Sequence, residues 1–384
     1  MLVPLSWLRE FVPYEGGADD LAERLTMAGL EVDSILRPAE SFEDVVVGEV
    51  LEVKPHPNAE RLSLCTVTTG GEAISVVCGA DNVAAGQKVP FAAVGAVLPG
   101  GVKIKKVKIR GEVSLGMICS EKELELGDDA EGIMVLSGDA PVGKQFVSYQ
   151  GLDDEILDIE VTPNRPDALC IYGVARDVAA LYGLPLKPWG TGVTESGAGA
   201  AEEISVTVED PEGCPRYSAR LIRGISVGPS PSWMAGRLRA VGLRPVNAIV
   251  DITNYIMMEI GQPQHAFDLH RVAGCAIVVR RAGEGEALRT LDDELRRLTP
   301  EVLMIADVER SLAVAGVMGG IDSQIGEDTT DILLESAHFD PVRVSIGGNL
   351  LGMVTESRKR FEKGTDPTLP GRAADRAAAF MAEL

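Results

Sequence analysis

Apolar and polar positions along this chain change period several times, and each change predicts an element. Over DDLAERLTMA, residues 19–28, Leu21 and Leu25 share a face at helical spacing. Asp19 or Asp20 is placed to cap that short helix and Gly29 to end it. From Val45 the period shortens. The runs VVVGEVLEV, LSLCTVTT, AISVVCG, KVPFAAV, VKIKKVKI and GIMVL are separated by Gly, Pro and Asn turns, and such a series of short strands within about 100 residues predicts a small closed barrel. In VKIKKVKI the alternation slips by one at Lys105–Lys106, which predicts a β-bulge.

Helical spacing returns between Leu157 and Gly183, with Asp167 as N-cap, Leu169, Val174, Val178 and Leu181 as the apolar stripe and Gly183 as the stop. TGVTESGAGAAEE, residues 191–203, has no period and reads as a linker. Beyond it the pattern is mixed α/β. Ser230-Pro231 opens a helix striped by Met234, Leu238 and Val241, and Asn247 opens another striped by Ile249, Ile252, Ile256 and Ile260, with Gly261 after it. Asn254 falls away from the isoleucine stripe and is free to face a pocket. VLMIAD, SLAVAGVMGG and DILLESAHF read as buried strands, the last carrying Glu335 inside its apolar run. GRAADRAAAFMAEL reads as an Ala-rich helix that reaches the last residue without a stop signal, as in a chain cut short.

A length of 384 residues exceeds what one core usually fills and predicts two to four domains. Aromatics are only 4% of residues, so the cores are built from Ala, Val, Leu, Ile and Met. The absence of an apolar run of about 18 residues argues against a membrane span, and the start MLVPLSWLREFV lacks the pattern of a secretion signal, so a cytoplasmic protein is expected. Cysteines 65, 78, 119, 170, 214 and 275 form no CxxC pair, which suits free thiols and offers no metal site. The net charge of −22 repels polyanions, so contact with nucleic acid requires a local basic surface or a partner chain.

Such a surface exists in outline. Lys103, Lys105, Lys106, Lys108 and Arg110 gather on one ribbon, either as an edge strand guarded by lysines or as a seat for a phosphate backbone. With Phe91 almost the only aromatic in this region, RNA binding would proceed by shape and backbone, not base stacking. AGVMGG, residues 315–320, is not a phosphate loop, because no GK[ST] follows; it is either a tight turn or a floor where a ligand nears the backbone. His265, in GQPQHAFDL, is one of four histidines and is either a packed residue or a ligand-facing one. Glu335 must find a partner or raise its pKa, as a structural or a recognition group. No Ser or Cys sits in a nucleophile elbow, so a hydrolytic site here would use water.

The ordered set SWLREFV, TMAGLEV, HPNAERLSLCTV, LPGGVKIKKVKIRGEVSLGMICSEKELEL, EVTPNRPDALCIYGVARDVAALYG, DITNYIMMEIGQPQHAFDL, AGVMGG, ESAHFDP and RFEKGTDP closely resembles the beta subunit of bacterial phenylalanyl-tRNA synthetases, over nearly the whole chain. The resemblance implies an α+β multidomain fold: a small split α/β N-terminal domain (1–39 plus 150–190), an inserted OB-fold β-barrel of tRNA-binding type (40–149), the linker 191–203, and a larger mixed α/β editing domain (204–384), the chain being truncated relative to the family. It implies an alpha-subunit partner in a two-alpha, two-beta assembly, tRNA(Phe) as ligand, and aminoacylation confined to the alpha chain. ATP and Mg2+ are implied for the full synthetase, with no cofactor expected in this fragment.

The same resemblance implies editing of mischarged Tyr-tRNA(Phe). A pocket that selects phenylalanine by apolar contact cannot strongly exclude tyrosine, so a second site that hydrolyses the wrong ester is useful. Carried over by motif, His265, Glu335 and Asn254 are the catalytic candidates, with Glu335 receiving the phenol hydroxyl and His265 positioning water or the terminal ribose. Thr253, Arg244, Pro263, Ala266, Ala315, Gly316, Gly319, Thr355 and Ser357 are the substrate-binding candidates, and the five basic residues of the barrel are the tRNA-binding ones. Where the family reads TDAS before RFE, this chain has Thr355, Glu356, Ser357 and Arg358, so a small apolar pocket residue becomes Ser357. The competing expectations are a tRNA-docking and subunit-assembly scaffold without a working pocket, and a general RNA-binding barrel protein.

Overall fold

The computed structural model describes residues 1–42, 44–127 and 132–384. They form two compact units, Leu36–Glu155 and the combination of Met1–Ile35 with Ile156–Leu384. The architecture is mixed α/β, with an OB-like barrel in the smaller unit.

In the barrel unit, a five-stranded antiparallel sheet runs in the order Gly116–Ile118, Lys88–Ala93, Val45–Pro55, Ser63–Thr68, Ile74–Cys78. Its ends nearly meet, as the Leu115 N–H donates to Ser75 O at 2.9 Å and the Val77 N–H to Ser114 Oγ at 3.1 Å. Val50, Val67, Val76, Val89, Phe91 and Ile118 fill the interior. The bulge does not fall at Lys105–Lys106. The register shifts between Val50 and Glu52 instead. VKIKKVKI is not one strand but parts of two hairpins: Val102–Lys103 pairs with Val97–Leu98, and Val107–Ile109 with Glu112–Ser114. The slip in alternation marks the break between them, where only Ile104 is buried. GIMVL contributes only an isolated bridge, Leu136 to Lys88.

In the larger unit, the first and last parts of the chain share one core. Val3, Trp7 and Leu21 pack in the same cluster as Val174 and Val178 of the helix Ile171–Tyr182, Ile252 and Ile256 of the helix Ala248–Ile260, and Ala373 and Ala377 of the helix Leu369–Glu383. The helix Ala18–Met27 has Gly17 at its N-cap, while Asp20 accepts hydrogen bonds from the hydroxyls of Tyr14 and Tyr182. Asp167 likewise caps nothing: it pairs with Arg165 and Arg176, and Cys170 Sγ takes the capping role, accepting from Gly173 N–H at 3.3 Å. Residues 191–199 hold no helix or strand, and a short helix, Ala200–Glu203, follows.

Two further sheets position the site, beside the three-stranded sheet Leu2–Pro4, Ile156–Glu160, Glu31–Leu36 and the hairpin of Ala287–Arg289 with Leu295–Arg297. One orders Ser205–Val208, Ala276–Arg281, Leu303–Ala306, Ser311–Val314 and Met318–Gly319, its first pair parallel. The other sets Asp331–His338 between Arg216–Arg223 and Gln264–Asp268. The apolar run of the central strand follows from this position, because both of its faces are covered. Ile332 and Leu334 join the helical core, and Leu333 and Ala337 the core of the five-stranded sheet. Each fully buried Ile or Leu among them contributes roughly 1.5–3 kcal/mol.

Candidate functional site

The helix Ala248–Ile260 starts where Asn247 Oδ1 accepts from the Ile249 and Val250 N–H groups, at 3.1 and 3.0 Å, and ends at Gly261 with φ +83°. Its isoleucines are buried. The face left over carries Val250, Thr253, Asn254 and Met257, a stripe at the i, i+3, i+4, i+7 spacing, and it lines a cavity of about 550 Å³. The Thr253 hydroxyl is engaged within the helix, donating to Val250 O at 2.7 Å. Asn254 is the polar side chain this helix offers to the cavity.

Across the cavity, His265 and Glu335 stand directly opposite each other on paired strands, although 70 positions separate them in sequence. Register partners on antiparallel strands project from the same face, so the imidazole and the carboxyl are neighbours. The His265 ring meets Phe267 edge-on at 4.5 Å. Loss of water pushes its pKa down to about 4, which leaves the imidazole neutral near pH 7. Burial pushes Glu335 up to about 7, opposed by the Tyr217 hydroxyl, which donates to Oε2 at 2.9 Å.

Glycines close the pocket floor for steric reasons. A Cβ on Gly319 would lie 2.4 Å from His265 Cε1 and 2.6 Å from Nε2, so only glycine lets the ring sit where it does. Gly316 turns with φ +69°, and a Cβ there would press on Phe361, Val344 and Phe339. Ser357 Oγ donates to Gly316 O at 3.1 Å and Thr355 Oγ1 to Val317 O at 2.9 Å, so both hydroxyls brace the floor loop. Pro263 and Ala266 also line the cavity. Two candidates fall outside the lining. Arg244 is exposed beside Leu243, and Ala315 is buried in the core of the five-stranded sheet.

Lys103, Lys105, Lys106, Lys108 and Arg110 are all exposed on the barrel unit. The HPN stretch anchors the second of their two hairpins, at Ile109 and Arg110. His56 Nδ1 accepts from the Asn58 N–H at 3.1 Å, which makes Nε2 the protonated nitrogen, and Nε2 donates to Ile109 O at 3.2 Å. Asn58 Nδ2 donates to Arg110 O at 3.0 Å.

A family model of a tRNA binding domain matches residues 45–145, and a B3/4 domain model matches residues 213–384, the span that holds the cavity. The phenylalanine–tRNA ligase beta subunits of Oleidesulfovibrio alaskensis and Geobacter sulfurreducens are each 50% identical to this chain over 384 residues, covering 100% of it and 48% of their own length. That of Hahella chejuensis is 48% identical over 379 residues, covering 98% of this chain and 48% of its own length. Over all of its 384 residues the chain is similar to phenylalanine–tRNA ligase beta subunits. It spans about half the length of the curated relatives it matches. Among the described residues no helix is long and apolar enough to cross a membrane, and no cluster of His, Cys, Asp or Glu is arranged to hold a metal ion.

Against this family frame, sequence reasoning missed Tyr217, Gln264 and Glu356. Tyr217 reaches Glu335 across 118 positions, and only strand register reveals that. Gln264 lines the cavity next to His265, and both its amide atoms are enclosed without a partner among the described residues. Its place beside His265 in GQPQHAFDL was the available signal. Glu356 also lines the cavity, held by Lys359 and Arg360. Chemically, the site offers a carboxyl, a neutral imidazole and a carboxamide around an apolar space, suited to placing water against a bound acyl group, while the lining hydroxyls of Thr253, Thr355 and Ser357 each donate to a backbone carbonyl.

Proposed function

We propose that this cavity is an editing site, which hydrolyses tyrosine esterified by mistake to tRNA(Phe). Water adds to the ester carbonyl, the acyl–oxygen bond breaks, and the terminal ribose hydroxyl leaves with the proton. The observation that carries the reading is the facing pair His265 and Glu335 on the wall of the cavity. Glu335 accepts the phenol hydroxyl, a group that phenylalanine lacks. A neutral His265 and Asn254 hold the water and the ribose end, and the glycine floor admits the ester. The chain acts with an alpha subunit, in a two-alpha, two-beta assembly in the cytoplasm. That partner carries out aminoacylation with ATP and Mg2+, and the barrel unit touches tRNA through its lysines.

Incubating the protein with tyrosyl-tRNA(Phe), with and without the alpha chain, tests this directly. Hydrolysis that His265→Ala slows by roughly 100-fold or more supports editing. An ester as stable as in buffer alone supports the rival reading, a docking and assembly scaffold.

A further inference from the structure

We propose that Tyr217 is the positioning residue that turns Glu335 into a reader of the ligand hydroxyl. The inference rests on the editing reading and adds a residue that acts on the ligand only through Glu335. Tyr217 faces Ala337 across the strand pair, and Ala219 faces Glu335. Those two alanines leave the room in which the Tyr217 ring crosses diagonally, so its hydroxyl donates to Glu335 Oε2 at 2.9 Å. Oε1 has no hydrogen-bond partner among the described residues, and Glu335 lines the cavity.

A carboxyl held at one oxygen by a fixed donor cannot swing freely, and its second oxygen keeps one orientation. That oxygen accepts a phenol hydroxyl from the ligand. A ligand without the hydroxyl leaves it dry, which is how a site built to hydrogen-bond a group rejects the analogue lacking it. The Tyr217 hydroxyl also stabilises the charged form, so it lowers the pH at which Glu335 becomes a pure acceptor. The other titratable groups around Glu335 are His265 on the facing strand, Cys214 just before the Tyr217 strand, and Glu356 across the cavity. Burial holds His265 neutral and the Cys214 thiol protonated, and Glu356 is paired with Lys359 and Arg360, so Glu335 is the group that titrates.

The test is equilibrium binding of two non-hydrolysable probes, adenosine carrying tyrosine or phenylalanine through a 3′-amide, across about pH 6 to 8.5, to the wild-type chain, Tyr217→Phe, Glu335→Gln and the double variant. The wild type binds the tyrosyl probe more tightly, and the margin widens as pH rises through about 7. Tyr217→Phe cuts that margin roughly tenfold and moves its rise to higher pH, while affinity for the phenylalanyl probe stays within about twofold. On the Glu335→Gln background, Tyr217→Phe adds nothing. A Tyr217→Phe chain with unchanged margin and midpoint, or one that loses both probes equally, overturns the inference while the editing reading stands. A wild type that binds neither probe overturns both.

Discussion

At the scale of single residues, the cavity sets two opposite protonation preferences side by side. His265 has a folded pKa below its unfolded value, so its contribution to stability is present above about 6.5 and is lost as pH falls through about 4. Glu335 has a raised folded pKa, so its contribution is present below about 4.5 and is lost as pH rises through about 7. Between those windows the two oppose each other. Glu335→Gln removes only the second, and its stability relative to wild type therefore rises from pH 5 to about pH 8. Urea-unfolding midpoints at the two pH values measure this; parallel shifts at both would show that Glu335 is ionised throughout. Chemistry at this scale was partly legible in the sequence. A Glu inside DILLESAHF demands an explanation wherever it lies, and the family motif assigns it one. Tyr217 carried no such mark, since an aromatic at the start of a strand is ordinary and its partner is distant in the chain.

At the scale of elements, the site depends on how the helix Ala248–Ile260 is anchored. Asn247 starts it, Gly261 stops it, and Glu259, fully buried, pairs with Arg376 of the helix Leu369–Glu383. Removing Arg376 leaves a carboxylate in the core without its counter-charge. Arg376→Ala is therefore expected to cost about 3–5 kcal/mol, read as a lowered denaturation midpoint, whereas an unchanged midpoint would mean that Glu259 is protonated in the fold. This helix was legible from the chain because cap, stripe and stop all agree, and so was the exit of Asn254 from the stripe. The caps of the two earlier helices were not. Asp20 and Asp167 are good N-cap residue types, but tyrosine hydroxyls and arginines engage them first, a tertiary competition that local pattern cannot show. The lysine ribbon misled for a similar reason: a slip in alternation is the same signal for a bulge within one strand and for a break between two hairpins.

At the scale of the whole molecule, a net charge of −22 and an exposed basic ribbon divide the labour of any RNA contact. Long-range attraction is absent, so binding should be weak and carried by few phosphate contacts. Replacing Lys105 and Lys106 by alanine should flatten the dependence of log affinity on log salt by up to about 0.7–0.9 per lysine, measured with tRNA(Phe) by fluorescence anisotropy; an unaltered slope would remove the ribbon from the interface. The barrel and the mixed α/β class followed from periodicity. The joining of the split N-terminal segments to the helices of the larger unit in a single core did not, because contacts between residues hundreds of positions apart leave no periodic trace. On the editing reading, the cavity beside the helix Ala248–Ile260 receives a tyrosyl ester. A crystal structure of the chain with the tyrosyl 3′-amide of adenosine tests it most directly. The expected pose has the phenol oxygen within hydrogen-bonding distance of Glu335 Oε1 and the acyl carbon beside His265 and Gly319. A probe bound elsewhere, or in that cavity with its ring turned away from Glu335, would contradict it.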